Sequence, residues 1–358
     1  MAPASAPARP AVRPKRRATL PSEARSPVER ALAELLAPRR APPGISGPWS
    51  RLAEFATRPG KRLRPRLVEL GWRAGGGCDP APSPLVRFGA ALEALHAFFL
   101  VHDDIADEAD TRRGGPALHR VLAGGRLGEQ LAMVAGDLLF SEAIDAMLGC
   151  GLPGAAAATR EVLASCRETA AGQYLDIAFT GEELGRVCSK QARRAELLKT
   201  ARYTFEAPLV AGAMLARGPA EGSAPETAAL LAALRAVARP LGLAFQLQDD
   251  LIPFRAGDAA GKPALADLAA GKKTWLLTLA WSALDEVGQA RLRRCLEQRD
   301  AAAFGRVQRM VTSCGALARV EREVRTLCGR SLRAARSPEL SGVAGALEEM
   351  VRRVGCLS

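Results

Sequence analysis

The sequence is poor in histidine, isoleucine and aromatic residues, and these shortages already limit what the protein can be. Its 358 residues include three histidines, five isoleucines and 4% aromatic residues. Strands favour β-branched and aromatic residues, whereas alanine and leucine favour helices. A hydrophobic content of 48%, drawn largely from alanine and leucine, therefore predicts helices packed around one large core.

Paired cysteines and long apolar runs are also missing. The eight cysteines include no Cys-x-x-Cys pair, which excludes a zinc ribbon or a thioredoxin-type motif and favours reduced thiols in a cytoplasmic protein. No uninterrupted apolar run approaches the roughly 18 to 20 residues that a membrane-spanning helix needs. We therefore expect no membrane span.

Positive charge exceeds negative charge, which predicts an anionic partner. Lysine and arginine number 50 and acidic residues 38, a net charge of +12. The first 20 residues carry five basic residues and no acidic one. We expect residues 1–26 to form a disordered tail rich in alanine, proline and arginine, and residues 27–358 to form one domain. Nucleic-acid binding is not expected, because only the tail could supply a basic segment and the rest of the chain carries a net charge of just +7, which is 12 minus 5.

From residue 27 onward the pattern is helical nearly throughout. Alanine-, leucine-, glutamate- and arginine-rich segments are broken by glycine and proline, and no useful alternation of period two occurs. The fold class predicted is all-α, a single large helical bundle. The predicted helices include 83–108, 182–217, 224–252, 263–285 and 316–356, the last with an internal break.

The first candidate site is an acidic run that directly follows an apolar helix segment. Asp103 and Asp107 lie one helical turn apart on the same face, with Asp104 beside them. Like charges at this spacing repel, so a solvated acidic face explains the run less well than a site for a hard cation does. Oxygen-only ligands suit Mg²⁺.

A second acidic run lies more than a hundred residues later. Gln246 and Asp250 are four residues apart, and Asp249 lies beside them. In a bundle the two runs could face each other, and two carboxylate patches with metal ions would bind a diphosphate between them. Basic residues that could clamp such an anion follow both runs and precede the first. They are Lys61, Arg64, Arg112, Arg113, Lys199, Lys262 and Lys272.

These motifs, in this order, resemble those of the trans-type isoprenyl diphosphate synthases, also called polyprenyl synthetases. Residues 103–107 match the first Asp-Asp-x-x-Asp motif, Arg112 and Arg113 the Arg-Arg-Gly that follows it, and residues 60–65 the Gly-Lys-x-x-Arg-Pro turn. The resemblance covers about residues 60 to 274. It implies an isoprenoid-synthase bundle with a central cavity, a homodimer, and a short-chain prenyltransferase that uses three Mg²⁺ ions.

The resemblance also implies a role for each matching residue. Isopentenyl diphosphate would contact Lys61, Arg64, His96 and Arg113, and the allylic diphosphate Arg112, Lys199, Thr200, Gln246, Lys262 and Lys272. The metal ligands would be Asp103, Asp107 and Asp249, and the catalytic set would add Asp104, Lys199 and Arg112. The second aspartate motif departs from the family because Pro253 replaces its last aspartate, and a proline should kink or stop the helix there.

Product length should depend on Phe98 and Phe99, which lie about 6 to 7.5 Å along the helix before Asp103. Either they are ordinary core aromatics, or they line the tail pocket. In the second case the resemblance implies farnesyl diphosphate first, geranylgeranyl diphosphate second and geranyl diphosphate third.

Two other readings remain open at this point. A terpene synthase on the same scaffold would cyclise an allylic diphosphate, although it would not need Lys61, Arg64 or His96. A non-catalytic regulatory subunit of a heteromeric synthase is expected to lose the first aspartate motif, which is intact here.

Overall fold

Helices account for nearly all the regular structure of the protein. A computed structural model describes residues 26–78, 81–221, 224–255, 271–298 and 300–355. The all-α prediction is confirmed. Residues 1–25 of the expected tail, and the predicted ligand Lys262, lie outside the described residues.

The bundle begins with seven α-helices and continues through a π-helix. The first seven are α1 (Pro27–Leu35), α2 (Ser46–Thr57), α3 (Leu63–Ala74), α4 (Ser83–Ala106), α5 (Leu118–Leu122), α6 (Gly125–Leu148) and α7 (Ala155–Thr180). Next come α8 (Ser189–Glu196), the π-helix (Leu197–Glu206), α9 (Ala207–Glu221) and α10 (Pro225–Arg255). The last are α11 (Trp275–Ala283), α12 (Glu286–Gln298), α13 (Ala301–Ser313), α14 (Ala316–Ala334) and α15 (Ala344–Gly355). Two short antiparallel strands, β1 (Thr111–Arg112) and β2 (Gly115–Pro116), form a hairpin after α4.

Some predicted helices differ from the observed ones. The single helix predicted over 182–217 is wrong, because α8 starts only at Ser189 and the π-helix separates it from α9. The break predicted within 316–356 is confirmed, between α14 and α15. Within the predicted helix 263–285, the described part becomes helical only at Trp275, because the Thr274 hydroxyl caps α11 by accepting from the Leu277 amide at 3.3 Å.

Helix α4 lies at the centre of the first apolar cluster and carries the first acidic run at its end. It is apolar on most sides, and 12 of its 24 residues are buried against α1, α3 and α6. A second cluster joins α10 to α11–α14, and a third joins α3, α9, α10 and α15. The ends of α4 and α10 are thereby held in separate parts of the core.

Two helices are long and apolar enough to cross a membrane by composition alone, which the search for uninterrupted apolar runs missed. They are Ser83–Ala106, with a mean hydropathy of 1.4, and Pro225–Phe254, with 1.5. In the first helix, 61% of the most apolar window of residues is buried inside the protein, and in the second helix the buried share is 50%. Both therefore pack as core helices of the bundle.

One glycine permits the close approach of α7 to the π-helix. A Cβ atom on Gly172 would lie 2.4 Å from the backbone nitrogen of Lys199, closer than real Cβ contacts. The π-helix is a rare form that often occurs at functional sites, and here it contains Lys199 and Thr200. Gly172 therefore lets α7 and the π-helix pack directly at this position.

Candidate active site

A cavity of about 470 Å³ opens between the turn before α3, the helices α4, α7 and α10, and the π-helix. It brings together ten of the residues selected from the sequence. They are Lys61, Arg64, His96, Phe99, Asp103, Arg113, Lys199, Thr200, Gln246 and Asp249. Elements far apart in the chain thus contribute to one cavity.

The first acidic motif lies at the C-terminal end of α4. Asp103 lines the cavity, and burial raises its pKa; Asp107 adds to this, while Lys199 and Arg112 oppose it. Asp107 caps the helix, and its Oδ2 atom lies 2.8 Å from Nζ of Lys272. Carboxylates at this end face the negative pole of the helix dipole, so they need nearby cations.

Asp104 does not line the cavity. Its side chain is completely buried, and its Oδ1 atom accepts a hydrogen bond of 2.6 Å from Nε of Arg112. Burial raises the pKa of Asp104, and the Arg112 guanidinium lowers it. Asp104 and Arg112, two of the six residues predicted as catalytic, therefore pair with each other and anchor β1 to α4.

The basic turn before α3 is held by an arginine that the sequence analysis did not assign to the site. Arg62 adopts a left-handed backbone conformation with φ 46°, and its Nη1 atom lies 2.8 Å from Oε2 of Glu93. Both side chains are buried, and removing one partner of such a pair typically costs about 3 to 5 kcal/mol. Nη2 of Arg62 also donates to the backbone carbonyl of Arg58 at 2.9 Å. Lys61 and Arg64 are thus presented by a rigid turn.

The hairpin that carries Arg113 is tied to the same turn. Arg58 donates from Nη1 to the carbonyl oxygens of Arg112 at 3.1 Å and Pro116 at 2.7 Å. Arg113 has φ 51°, and its guanidinium lies close to Gly60, where a Cβ atom would be 3.3 Å from Cζ. Burial lowers the pKa of Arg113 to about 10, which leaves it charged at neutral pH.

His96 lies within this cluster of arginines. Burial, followed by Arg64 and Arg113, lowers its pKa well below the ordinary value, so the imidazole is neutral. Its Nδ1 atom is buried without a hydrogen-bond partner in the described structure. Arg64 donates to Oγ1 of Thr204 at 2.8 Å and lies over the Tyr203 ring. This side of the cavity combines positive charge with an unused polar atom, as expected of an anion site.

On the opposite side, Lys199 faces the aspartates. Burial disfavours its charge, but Asp103 and Asp176 outweigh burial and raise the pKa of Lys199. Its Nζ atom lies 2.9 Å from Oδ2 of Asp176 on α7. Asp176 and the cavity residue Gln173 were both missed in the sequence. The sequence pattern that could have revealed them is a pair of polar residues three positions apart, just after Gly172, in an alanine-rich helix.

The second acidic motif lies near the end of α10. Asp249 is exposed and lines the cavity, while the side chain of Asp250 accepts from Nε2 of Gln246 at 3.0 Å. Oγ1 of Thr200 donates to Oε1 of Gln246 at 2.5 Å. Helix α10 does not stop at Pro253 but runs on to Arg255, and the carbonyl of Pro253 accepts from Gln308 at 2.8 Å.

The carboxylates on the two helix ends could hold divalent cations. Among the described residues, no three acidic, histidine or cysteine side chains converge on one point. Asp103 and Asp249 instead line a shared cavity. This oxygen donor set fits Mg²⁺, which keeps several water or phosphate ligands and needs few protein ones.

The two phenylalanines differ in their surroundings. Phe99 lines the cavity, and its ring lies 4.6 Å from that of Tyr203. Phe98 is not among the lining residues; its ring packs against His102 at 4.5 Å and Phe140 at 5.3 Å. The two rings contact each other, with centroids 4.9 Å apart, but only Phe99 lines the cavity.

Comparison with known proteins agrees with this geometry. Residues 50–313 match the model of the polyprenyl synthetase family. A short chain isoprenyl diphosphate synthase of Methanothermobacter thermautotrophicus is 36% identical over 241 residues, which cover 66% of this chain and 67% of the relative. A (2E,6E)-farnesyl diphosphate synthase of Mycobacterium tuberculosis is 34% identical over 224 residues, 62% of this chain and 56% of the relative.

A solved structure shows the same arrangement of helices. The geranylgeranyl pyrophosphate synthase of Corynebacterium glutamicum, complexed with isoprenyl diphosphate and magnesium, has a TM-score of 0.77 and 27% identity. The match covers 92% of this chain and 98% of that one. The chain therefore belongs to the polyprenyl synthetase family.

Proposed function

We propose that the protein is a Mg²⁺-dependent prenyltransferase that joins isopentenyl diphosphate head to tail to an allylic diphosphate. The observation that carries the proposal is the charge arrangement of one cavity. Arg64, Arg113 and neutral His96 lie on one side, and the carboxylates of two helix ends lie with Lys199 on the other. Two diphosphates could bind there, one held by cationic side chains and one through metal ions.

Each side of the cavity has a distinct task in this reaction. Asp103, Asp107 and Asp249 would hold the Mg²⁺ ions, three in number, which supply positive charge to the departing diphosphate when bound. Lys199 and Lys272 add fixed positive charge as the allylic C–O bond breaks. The double bond of isopentenyl diphosphate then forms the new C–C bond, and one proton leaves that substrate. Lys61, Arg64 and Arg113 would hold its diphosphate during this step.

The competing functions lack comparable support. A cyclase would need no second diphosphate site, whereas Arg62, Glu93 and Arg58 hold in place the turn and hairpin whose basic residues we assign to one. Asp103 and Lys199 interact electrostatically, and a non-catalytic subunit would not need this interaction. The elongating synthase accounts for both sides of the cavity.

The reaction is tested by incubating the purified chain with Mg²⁺, isopentenyl diphosphate and a C5, C10 or C15 allylic diphosphate, followed by product identification. We expect elongated diphosphates, and none when EDTA removes the metal. Hydrocarbons formed without isopentenyl diphosphate would support the cyclase instead. No turnover with any allylic substrate would contradict the proposal. That result would support a regulatory subunit instead.

Product length is proposed to be set by Phe99, with farnesyl diphosphate as product ahead of geranylgeranyl and geranyl diphosphate. Because Phe99 lines the cavity and Phe98 does not, Phe99→Ala should lengthen the main product by at least one C5 unit. Phe98→Ala, the matched control on the preceding residue, should change it less. Chromatography of the dephosphorylated products measures both. An unchanged product in Phe99→Ala would refute this assignment.

The proposal also includes a homodimer in the cytoplasm. Leu127, Leu131 and Val134 follow one face of α6 and are 58%, 45% and 61% exposed, which favours a partner surface there. The seven described cysteines are all free, in keeping with a reducing compartment. Sedimentation equilibrium should give twice the chain mass of 37.8 kDa. A monomer at all concentrations would contradict the homodimer. Recovery in the membrane fraction would contradict the cytoplasmic location.

A further inference from the structure

Glu196 is an acidic residue beside the cavity that the proposed reaction does not use. It is the last residue of α8, directly before the π-helix. The residue is partly exposed, but its Oε2 atom is buried. No lysine or arginine of the described segments forms an ion pair with it. A buried carboxyl without a cation is costly unless hydrogen bonds hold it.

One such bond joins Glu196 to the start of α11. Its Oε1 atom accepts from the backbone amide of Trp275 at 2.6 Å. Trp275 is the first residue of α11, and amides at this position have no partner within the helix. Thr274 satisfies the amide of Leu277, so Glu196 and Thr274 together cap the helix.

The second contact joins Glu196 to the second aspartate motif. The side chains of Glu196 and Asp250 lie close enough to interact. Burial and Asp250 raise the pKa of Glu196 well above its ordinary value, as expected of two neighbouring carboxyl groups. Asp250 in turn accepts from Gln246, and Gln246 from Thr200. Polar side chains thus follow one another from the cavity wall to α11.

The segment before α11 carries Lys272, a predicted diphosphate ligand. Nζ of Lys272 lies 2.8 Å from Oδ2 of Asp107 at the end of α4. Lys273 donates to the carbonyl oxygens of Gly271 at 2.6 Å and Thr180 at 3.2 Å. Residues 271–274 therefore connect the ends of α4 and α7 with α11, and Glu196 is the side chain that links α11 to Asp250.

We propose that Glu196 is a positioning residue, which holds the first turn of α11 against α10 and so keeps Lys272 in place for the allylic diphosphate. This proposal rests on the proposed function, because it concerns the affinity of the same site for a diphosphate. Glu196→Leu removes both contacts. Glu196→Gln keeps an oxygen for the Trp275 amide and an NH₂ group for Asp250.

The test measures the binding of inorganic diphosphate with Mg²⁺ by calorimetry, and the KM and kcat for the allylic substrate. Because a small misplacement of a clamping group weakens binding strongly, Glu196→Leu should lower diphosphate affinity about tenfold or more and raise KM. It should also lower kcat, because Lys272 adds positive charge as the allylic C–O bond breaks, and Glu196→Gln should restore most of the affinity. The control is Glu183→Leu, which replaces an exposed glutamate shortly before α8 and should change neither the diphosphate affinity nor the KM. Unchanged affinity in Glu196→Leu would overturn the proposal.

A double-mutant cycle separates positioning from a general effect on the fold. If Glu196 acts through Lys272, Glu196→Leu should have little further effect on affinity in a Lys272→Ala background. Fully additive losses would overturn the proposal. If the leucine variant does not fold, Glu196→Asp replaces it, since the shorter side chain cannot reach both partners. A wild-type chain that binds diphosphate but forms no product would refute the proposed function and leave this comparison intact.

Discussion

Both acidic motifs lie at helix C-termini, where the helix dipole already places negative charge. Asp103 and Asp107 end α4, and Asp249 and Asp250 lie in the last turns of α10. Neither arrangement is favourable by itself, and the raised pKa of Asp103 reflects its burial and the repulsion from Asp107. The structure supplies cations next to these ends, including Lys199 and the Lys272 that pairs with Asp107. The remaining negative charge is what makes the site suited to divalent metal ions.

The opposite side of the cavity depends on buried ion pairs rather than on net charge. Arg62 and Glu93 hold the turn, and Arg58 holds the hairpin, so that Arg64 and Arg113 converge on His96. Counted along the chain, residues 21–270 contain 29 basic and 29 acidic residues. The excess of positive charge lies in the first 20 residues and after residue 270. The net charge of +12 therefore says little about the cavity, although it led to the expectation of an anionic partner.

The sequence was sufficient for the all-α fold and for ten residues of the cavity, because motif spacing places chemically similar groups on one helix end or one turn. It could not show which neighbour in a motif faces the cavity. Asp104 and Phe98 lie next to lining residues, yet one pairs with Arg112 and the other packs against Phe140. Nor could it reveal Asp176 or Glu196, whose partners come from other helices. The close packing of the π-helix against Gly172 is likewise a contact that no local pattern encodes.

The division of the cavity into a cationic side and a metal-dependent side is tested most directly by equilibrium binding with and without Mg²⁺. Isopentenyl diphosphate and an unreactive geranyl thiodiphosphate would be titrated separately into the wild-type chain, in Mg²⁺ and in EDTA. Isopentenyl diphosphate should bind with similar affinity in both buffers, because Lys61, Arg64 and Arg113 would contact it directly in the proposed function. The allylic analogue should bind only with Mg²⁺, because Asp103 and Asp249 would otherwise repel it. Equal binding of the allylic analogue in EDTA, or loss of isopentenyl diphosphate binding there, would contradict this division.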